Sequence, residues 1–181
     1  MDQTITGYDV GPLLYCPANA HCNIVDWLRA GRVAPPFSLA FCLEDTVEEG
    51  AVAEAEQTLF RTLTRLKDAS AQEAFYMPPV FIRVRSPRQL RALASACAAA
   101  FPGLVTGFIL PKFFVANAGG YIAAIQAVRE EAGRFYYMPI LEDPAMIDLR
   151  YRHRRLYQLR DALEAVSDRI LNIRTGGNDL S

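Results

Sequence analysis

Charged side chains directly follow five of the six apolar, strand-length runs in this 181-residue sequence. These strand-end groups are Glu44-Asp45, Arg83-Val84-Arg85, Lys112, Glu142-Asp143 and Gly176-Gly177-Asn178-Asp179. In parallel α/β folds, the chemistry takes place at the carboxyl ends of the strands, which open at one edge of the sheet. The sequence therefore predicts that carboxylates, arginine and lysine converge on one mouth.

Carboxylates beside an arginine and a lysine suit a hard divalent cation together with an anionic substrate. Magnesium prefers oxygen ligands, usually one or two carboxylates, with water and substrate completing its shell. Arginine can hold a substrate carboxylate through two parallel hydrogen bonds. Such a set of groups would stabilise the negative charge that develops when a carbon–carbon bond breaks beside a carbonyl. The pattern therefore favours enolate chemistry.

Each of these residues also has a purely structural interpretation. Asp45 could cap the next helix, a turn could begin at Glu142, and Asp179 could be an ordinary turn residue after two glycines. Arg83 is different because it lies inside an apolar run, where a buried charge needs a partner. Glu44 is the candidate for that partner.

Apolar runs of strand length alternate with amphipathic helical stretches along the chain. The runs are continuous rather than alternating in polarity, as in strands that are buried on both faces of a parallel sheet. The predicted strands are 12–16, 37–43, 80–84, 107–110, 136–141 and 170–173, and the predicted helices begin near Asn23, Thr46 (to about Leu66), Ser86-Pro87, Gly119-Gly120 and Asp148. This order fits an open doubly wound sheet or part of a (β/α)8 barrel, which typically needs about 250 residues.

Composition argues against several other classes of protein. The 19 basic and 20 acidic side chains nearly balance, so the overall charge favours neither nucleic acid nor an anionic membrane as a partner. The basic stretch 150–155 could contact nucleic acid or a phosphorylated ligand, but a solvated helix face is the favoured interpretation. No second Cys/His pair with zinc spacing accompanies Cys16, His21 and Cys22, so the four cysteines are predicted to be structural.

No feature of the sequence predicts a membrane or secreted protein. No apolar run approaches the roughly 20 residues that a membrane-spanning helix needs. The first residues, Met1-Asp2-Gln3-Thr4, lack the basic and apolar regions of a signal peptide. We therefore predict a cytoplasmic protein with one domain.

Six short motifs, each at a predicted strand end, carry a family resemblance along nearly the whole chain. LLYCPAN, CLEDTV, FIRVR, FILPKF, PILEDP and TGGNDLS resemble, in the same order, the LFVPA/G, LDLEDAV, VRVN, VLPKV, LIET and GAEDL segments of the citrate lyase beta-subunit / HpcH–HpaI aldolase superfamily. The chain looks like a divergent C–C bond lyase branch, similar to proteins encoded with bacterial tellurium-resistance and stress operons. The resemblance implies an α/β fold, a partial TIM (β/α)8 barrel of about six strands that occupies residues 1–181.

The residues that the resemblance assigns to a site all lie at predicted strand ends. They are Glu142 and Asp179 as ligands of Mg²⁺ (or Mn²⁺), Arg83 with Glu142 for substrate binding, Glu44 and Asp45 as an acidic pair that supports the arginine and the metal-bound waters, and Lys112 as a supporting cation. The implied site is that of a metal-dependent lyase.

The chain departs from the family pattern at three of these motifs. Asn19-Ala20-His21 stand where arginines of the family help to bind a coenzyme A thioester or a similar acyl carrier. Arg85 stands in place of the asparagine of VRVN, and Asn178 in place of the glutamate of GAED. The substrate therefore stays open between a small oxo-acid and an acyl thioester.

Two functional hypotheses follow from these patterns. The first is a lyase or aldolase, predicted to be a homo-oligomer, that acts on a small oxo- or hydroxy-acid through a metal-stabilised enolate. The second is a catalytically inactive barrel fragment that serves as a binding or assembly partner in a stress-response operon. It rests on the expectation that the chain is truncated, because the sequence ends at Ser181, just after the expected metal ligand and before strands seven and eight.

Overall fold

Six parallel strands form one curled sheet, with the helices between them, in the computed structural model, which describes residues 5–20, 23–132 and 135–176. The strands are β1 (Leu13–Pro17), β2 (Ser38–Cys42), β3 (Val80–Arg83), β4 (Val105–Leu110), β5 (Tyr136–Leu141) and β6 (Arg174–Thr175); the helices are α1 (Ile24–Arg29), α2 (Val52–Gln72), α3 (Pro87–Ala100), α4 (Val115–Ala132) and α5 (Leu149–Glu164). Each strand pairs in parallel with the next one along the chain. This order confirms the partial TIM barrel, because a doubly wound sheet reverses its strand order.

Apolar side chains are buried on both faces of the sheet. The larger cluster, which includes Leu39 and Phe41 of β2, fills the layer between the strands and the helices. The smaller cluster lies on the concave inner face and consists of Val10, Ala40, Phe81, Ile109, Met138 and Ile140. Because successive strand residues point to opposite faces, strands between two apolar layers need continuous apolar runs. Within the described residues, no helix is long and apolar enough to cross a membrane.

Two helices begin where the sequence predicted, and each follows a side chain that caps it. The Ser86 side chain accepts a hydrogen bond from the main-chain nitrogen of Gln89, and Pro87 is the first residue of α3. The Asp148 side chain accepts a hydrogen bond from the main-chain nitrogen of Arg150 at the start of α5. These caps satisfy main-chain donors that the first helical turn leaves without partners.

The predicted start of the second helix at Thr46 is wrong. The Thr46 hydroxyl donates to the main-chain oxygen of Cys42, 3.3 Å away, and the chain then passes through a short 3-10 helix at 49–51. Helix α2 begins only at Val52 and continues to Gln72, beyond the predicted end. The turn after β2 interrupts the helical pattern, and it carries Glu44 and Asp45.

The sixth strand also differs from the predicted range 170–173. Ile170 forms an isolated bridge with Tyr137, and the paired strand follows only at Arg174–Thr175. Between them, Leu171 packs against the inner apolar cluster. The partly buried Leu171 thus contacts the inner face where the sequence predicted a paired strand residue.

Gly119 and Gly120, predicted to precede a helix, lie inside α4. The Asn117 side chain accepts a hydrogen bond from the main-chain nitrogen of Phe114, 2.9 Å away, at the start of this helix. A Cβ added at Gly120 would lie 3.3 Å from Cγ of Pro87 in α3. The glycine therefore permits close packing of α3 against α4 instead of ending the helix.

Two glycines should respond to alanine in opposite directions. A Cβ added at Gly107 in β4 would lie 2.7 Å from the carbonyl carbon of Tyr136, whereas nothing lies within 4 Å of one added at Gly119 in α4. We expect Gly107→Ala to lower the free energy of unfolding by about 2 kcal/mol or more, because the backbone must shift. Gly119→Ala should raise it by about 1 kcal/mol, since alanine favours helix interiors. Urea unfolding followed by circular dichroism measures both free energies of unfolding. If the two variants changed in the same direction, the close contact at Gly107 and the open space at Gly119 would be contradicted.

Candidate active site at the mouth of the barrel

Five of the six predicted site residues lie together at the carboxyl ends of neighbouring strands. Glu44 and Asp45 follow β2, Arg83 is the last residue of β3, Lys112 follows β4, and Glu142 follows β5. The sixth, Asp179, lies outside the described residues. The parallel pairing of adjacent strands is what brings these side chains to one edge.

Arg83 forms ion pairs with both members of the acidic pair. Its Nη2 lies 2.5 Å from Oε2 of Glu44 and 2.5 Å from Oδ2 of Asp45. The side chains of Arg83 and Glu44 are only 13% and 9% exposed, so this ion pair is largely shielded from water. Asp45 thus contacts the arginine rather than capping α2. The pairing satisfies the charge that the sequence places within an apolar strand.

Lys112 connects the acidic pair to Glu142. Its Nζ lies 2.7 Å from Oε1 of Glu44 and 3.5 Å from Oδ1 of Asp45. Its main-chain nitrogen donates to Oε1 of Glu142 at 2.5 Å. The backbone φ of Lys112 is +48°, a region that residues with a side chain seldom adopt. In this conformation Lys112 contacts Glu44 with its side chain and Glu142 with its main chain.

The surroundings keep Asp45, Arg83 and Lys112 charged at neutral pH. Burial alone would raise the pKa of Asp45, but the adjacent charges of Arg83 and Lys112 lower it. Burial alone would lower the pKa of Arg83, but the adjacent carboxylates raise it. The hydrogen bond to Glu44 raises the pKa of Lys112. Lys112 is therefore a fixed cation and not a base in this arrangement.

Among the described residues of the site, Glu142 is the most deeply buried carboxylate, at 3% exposure. The main chain of Gly176 passes directly beside it, because a Cβ added there would lie 2.5 Å from Oε2 and 2.9 Å from Cβ of Glu142. The main-chain nitrogen of Gly176 also donates to the oxygen of Leu141, 3.4 Å away. Only glycine leaves room for the carboxylate at this point.

Asp143, the neighbour of Glu142, has a structural role. Its carboxylate accepts a hydrogen bond from the main-chain nitrogen of Ala145 at 2.9 Å and lies 3.3 Å from Nη1 of Arg155. Arg150 likewise pairs with Asp148, at 2.8 Å. Two arginines of the basic stretch 150–155 are thus engaged by carboxylates of this chain.

Arg85 supports the site in a way that the sequence did not reveal. Its Nη1 donates to the main-chain oxygens of Leu43, Glu44 and Val47, at 3.1, 3.1 and 2.7 Å. These bonds hold the turn that carries the acidic pair. The only signal in the sequence was that Arg85 replaces the asparagine of the family motif.

Replacing Arg85 with methionine should loosen this turn. We expect the free energy of unfolding to fall by about 2 kcal/mol, because charge-assisted hydrogen bonds to buried carbonyls are lost. Arg88→Met, at an exposed position of α3, is the matched control and should change it by less than about 0.5 kcal/mol. Urea unfolding measures the change in both variants. Equal losses of unfolding free energy in Arg85→Met and Arg88→Met would exclude a supporting role for Arg85.

Tyr121 also borders the site and was not predicted. It lies in α4, is 1% exposed, and its ring centre is 5.8 Å from that of Phe113. Burial raises its pKa, and the charges of Glu44 and Glu142 raise it further. The hydroxyl therefore stays protonated. Spacing along the chain could not reveal it, because it lies within a helix rather than at a strand end.

Strand-end charges in a parallel β/α barrel define the layout of a TIM-barrel enzyme. Over residues 4–181, the chain matches the family described as C–C bond lyase of the TIM-barrel fold, and it belongs to that family. No curated protein matches the chain. Membership supports a lyase-type function for the mouth described above.

Proposed function

We propose that the protein is a Mg²⁺-dependent lyase or aldolase that acts on a small oxo- or hydroxy-acid, in the manner of the citrate lyase beta-subunit / HpcH–HpaI aldolase superfamily. The observation that carries the proposal is the buried carboxylate of Glu142, which is bound by the main chain of Lys112, while the ammonium of the same lysine pairs with Glu44. Family membership supports the class of bond. The proposal also includes the use of Mg²⁺, the class of substrate and the similarity to the branch encoded with stress operons. The homo-oligomer and the cytoplasmic location stay predictions.

The residues at the mouth fit a magnesium ion in chemical type. Among the described residues no group of three or more His, Cys, Asp or Glu could hold a metal, but magnesium usually takes only one or two protein carboxylates. The Lys112 main chain orients Glu142, as outer-shell groups orient metal ligands. Gly176 leaves room for the Glu142 carboxylate, with which a Cβ at this position would clash. Asp179 would supply the second carboxylate, and bound magnesium would polarise the substrate carbonyl.

The cations of the mouth have distinct tasks in this proposal. Arg83 would bind the substrate carboxylate through Nη1, because Nη2 contacts Glu44 and Asp45 and Nε is buried. The two carboxylates fix the orientation of the guanidinium. Lys112 would add positive charge near the developing enolate, where preorganised charge contributes most to catalysis.

Enolate formation can be tested with pyruvate alone. We expect the methyl protons of pyruvate to exchange with deuterated water, by proton NMR, when the protein and Mg²⁺ are both present. Removing the metal with EDTA should reduce exchange to the rate without protein. No exchange above that rate in either case would contradict the proposed lyase. It would favour the alternative of a non-catalytic binding or assembly partner.

Lys112 should not form a Schiff base with an oxo-acid. A Schiff base requires a neutral amine, and catalytic lysines have lowered pKa values, whereas the pKa of Lys112 is raised. We expect no covalent adduct after borohydride treatment in the presence of pyruvate near neutral pH, by mass spectrometry of the intact protein. An adduct at Lys112 would replace the metal-dependent proposal with a Schiff-base mechanism.

A further inference from the structure

The turn that carries Lys112 is bridged by the side chain of Asn117, which lies in the first turn of α4. Nδ2 of Asn117 donates to the main-chain oxygen of Lys112 at 2.8 Å, and Oδ1 accepts from the main-chain nitrogen of Phe114 at 2.9 Å. A carbonyl oxygen can only accept a hydrogen bond and an N–H group can only donate one, so these two partners fix the orientation of the amide. Asn117 therefore ties the turn after β4 to the beginning of α4.

The backbone of Lys112 is held on both sides. Its φ of +48° lies in the left-handed region, which is unfavourable for a residue with a Cβ and persists where surrounding contacts impose it. The peptide group before it donates to Glu142 through the Lys112 nitrogen. The peptide group after it accepts from Asn117 and donates from the Phe113 nitrogen to the main-chain oxygen of Ile140, 3.0 Å away. These bonds fix the planes of both peptide groups, and hence the conformation between them.

The conformation of Lys112 decides whether it can reach both carboxylates of the mouth. Its main-chain nitrogen lies 2.5 Å from Oε1 of Glu142, and its Nζ lies 2.7 Å from Oε1 of Glu44. The value of φ sets the angle between the N–H bond and the side chain of the same residue. If Lys112 relaxed to a negative φ, the two contacts could not be kept together. Glu142 is buried, so a donor lost from its carboxylate is costly.

Capping of α4 explains one of the two hydrogen bonds of Asn117 but not the other. Asn117 is the third residue of α4 and accepts from the nitrogen of the residue just before the helix, as the third residue of a capping box does. Aspartate would serve that purpose equally well. The bond to the Lys112 oxygen requires a donor, which asparagine has and ionised aspartate lacks.

We propose that Asn117 is a positioning residue of the mouth, whose amide N–H group holds Lys112 in the left-handed conformation that binds Glu142 with the main chain and Glu44 with the ammonium. Asn117 acts through Lys112. The consequence for metal binding rests on the proposed function, because Glu142 is the proposed metal ligand. The hold on Lys112 does not rest on it.

Asn117→Asp separates the two roles, because it keeps the capping acceptor and removes the donor. We expect the amide proton of Lys112 to exchange with solvent about fivefold to tenfold faster than in the wild type, by NMR near neutral pH, since one ordinary hydrogen bond is lost. The affinity for Mn²⁺, by calorimetry, should fall about tenfold, the lower end of the typical effect of outer-shell groups. The midpoint of thermal unfolding should stay close to that of the wild type.

Two further variants complete the comparison. Asn117→Ala removes both bonds, so it should match Asn117→Asp in Lys112 exchange and in Mn²⁺ affinity but unfold at a lower temperature. Asn23→Asp is the matched control, because Asn23 precedes α1 and its side chain makes no capping hydrogen bond. The same substitution there should change neither Lys112 exchange nor Mn²⁺ affinity.

A purely structural role predicts that Asn117→Asp behaves like the wild type. A Lys112 amide that exchanges at the wild-type rate in this variant would therefore overturn the positioning role. Unchanged Mn²⁺ affinity in Asn117→Asp, when the wild type binds the ion, would also overturn it, as would equal changes in Asn23→Asp. A wild type that binds no Mn²⁺, but whose Lys112 amide responds to Asn117→Asp, would refute the metal site and not the hold on Lys112.

Discussion

Replacing Arg83 with methionine should lower the free energy of unfolding by about 3 kcal/mol, because removal of one partner from a buried ion pair strands the other charge. The stranded group is Glu44, whose side chain is 9% exposed and would retain only Lys112. For a chain of this size, the midpoint of thermal unfolding should fall by roughly 6–12 °C. Arg160→Met removes an exposed ion pair with Asp161 and should cost less than about 0.5 kcal/mol.

Two further measurements distinguish this electrostatic cause from lost packing. Adding Glu44→Gln to Arg83→Met should recover part of the loss, since the buried charge is then gone. The deficit of Arg83→Met should also narrow in acid. Because the pKa of Asp45 is lowered in the folded protein, its contribution is present above its ordinary carboxyl pKa and lost as the pH falls through the lowered value. If the loss of unfolding free energy in Arg83→Met changes neither with Glu44→Gln nor with pH, lost packing is its main cause.

Glu142→Gln should abolish Mg²⁺-dependent exchange of the pyruvate methyl protons. Loss of an outer-shell group typically costs 10–100-fold, so loss of a direct metal ligand should reduce the rate by about 100-fold or more. The fold should survive, because the amide oxygen of glutamine can still accept the hydrogen bond from the Lys112 main chain.

Asp143→Asn is the matched control for Glu142→Gln. Asp143 is the adjacent carboxylate, but it binds the turn at Ala145 and Arg155. Its amide variant should therefore keep most of the exchange activity. Retained exchange in Glu142→Gln would exclude Glu142 as the metal ligand, and equal losses in the two variants would indicate a general disturbance of the loop after β5.

The alternation of strands and helices could be predicted from sequence because the apolar runs are continuous and each of the first five is followed by a helix. The barrel order of the strands was implied by the family resemblance, since an open doubly wound sheet fitted the same pattern. The run ending at Cys42, for example, is buried along its whole length. The boundaries failed where local hydrogen bonds or burial of one side chain compete with the periodic pattern. Thr46 donates to the strand end instead of starting a helix, and Leu171 packs against the inner cluster whereas the paired strand begins at Arg174.

The charged residues of the site could be predicted in part because parallel strands bring their ends together. An arginine within an apolar run needs an acidic partner, and Glu44 is that partner in the structure. The remaining features depend on tertiary contacts that spacing does not encode. Among these are the positive φ of Lys112, the hydrogen bonds from Arg85 to main-chain oxygens and the burial of Tyr121 near the carboxylates.

Calorimetric titration with Mn²⁺ tests most directly whether the mouth binds a divalent cation through Glu142. The wild type, Glu142→Gln and Asp179→Asn should first give matching circular dichroism spectra, so that a loss of binding is not a loss of folding. We expect saturable binding by the wild type that is lost in both variants. No binding by a well-folded wild type, or binding that survives in Glu142→Gln, would contradict the proposed metal site.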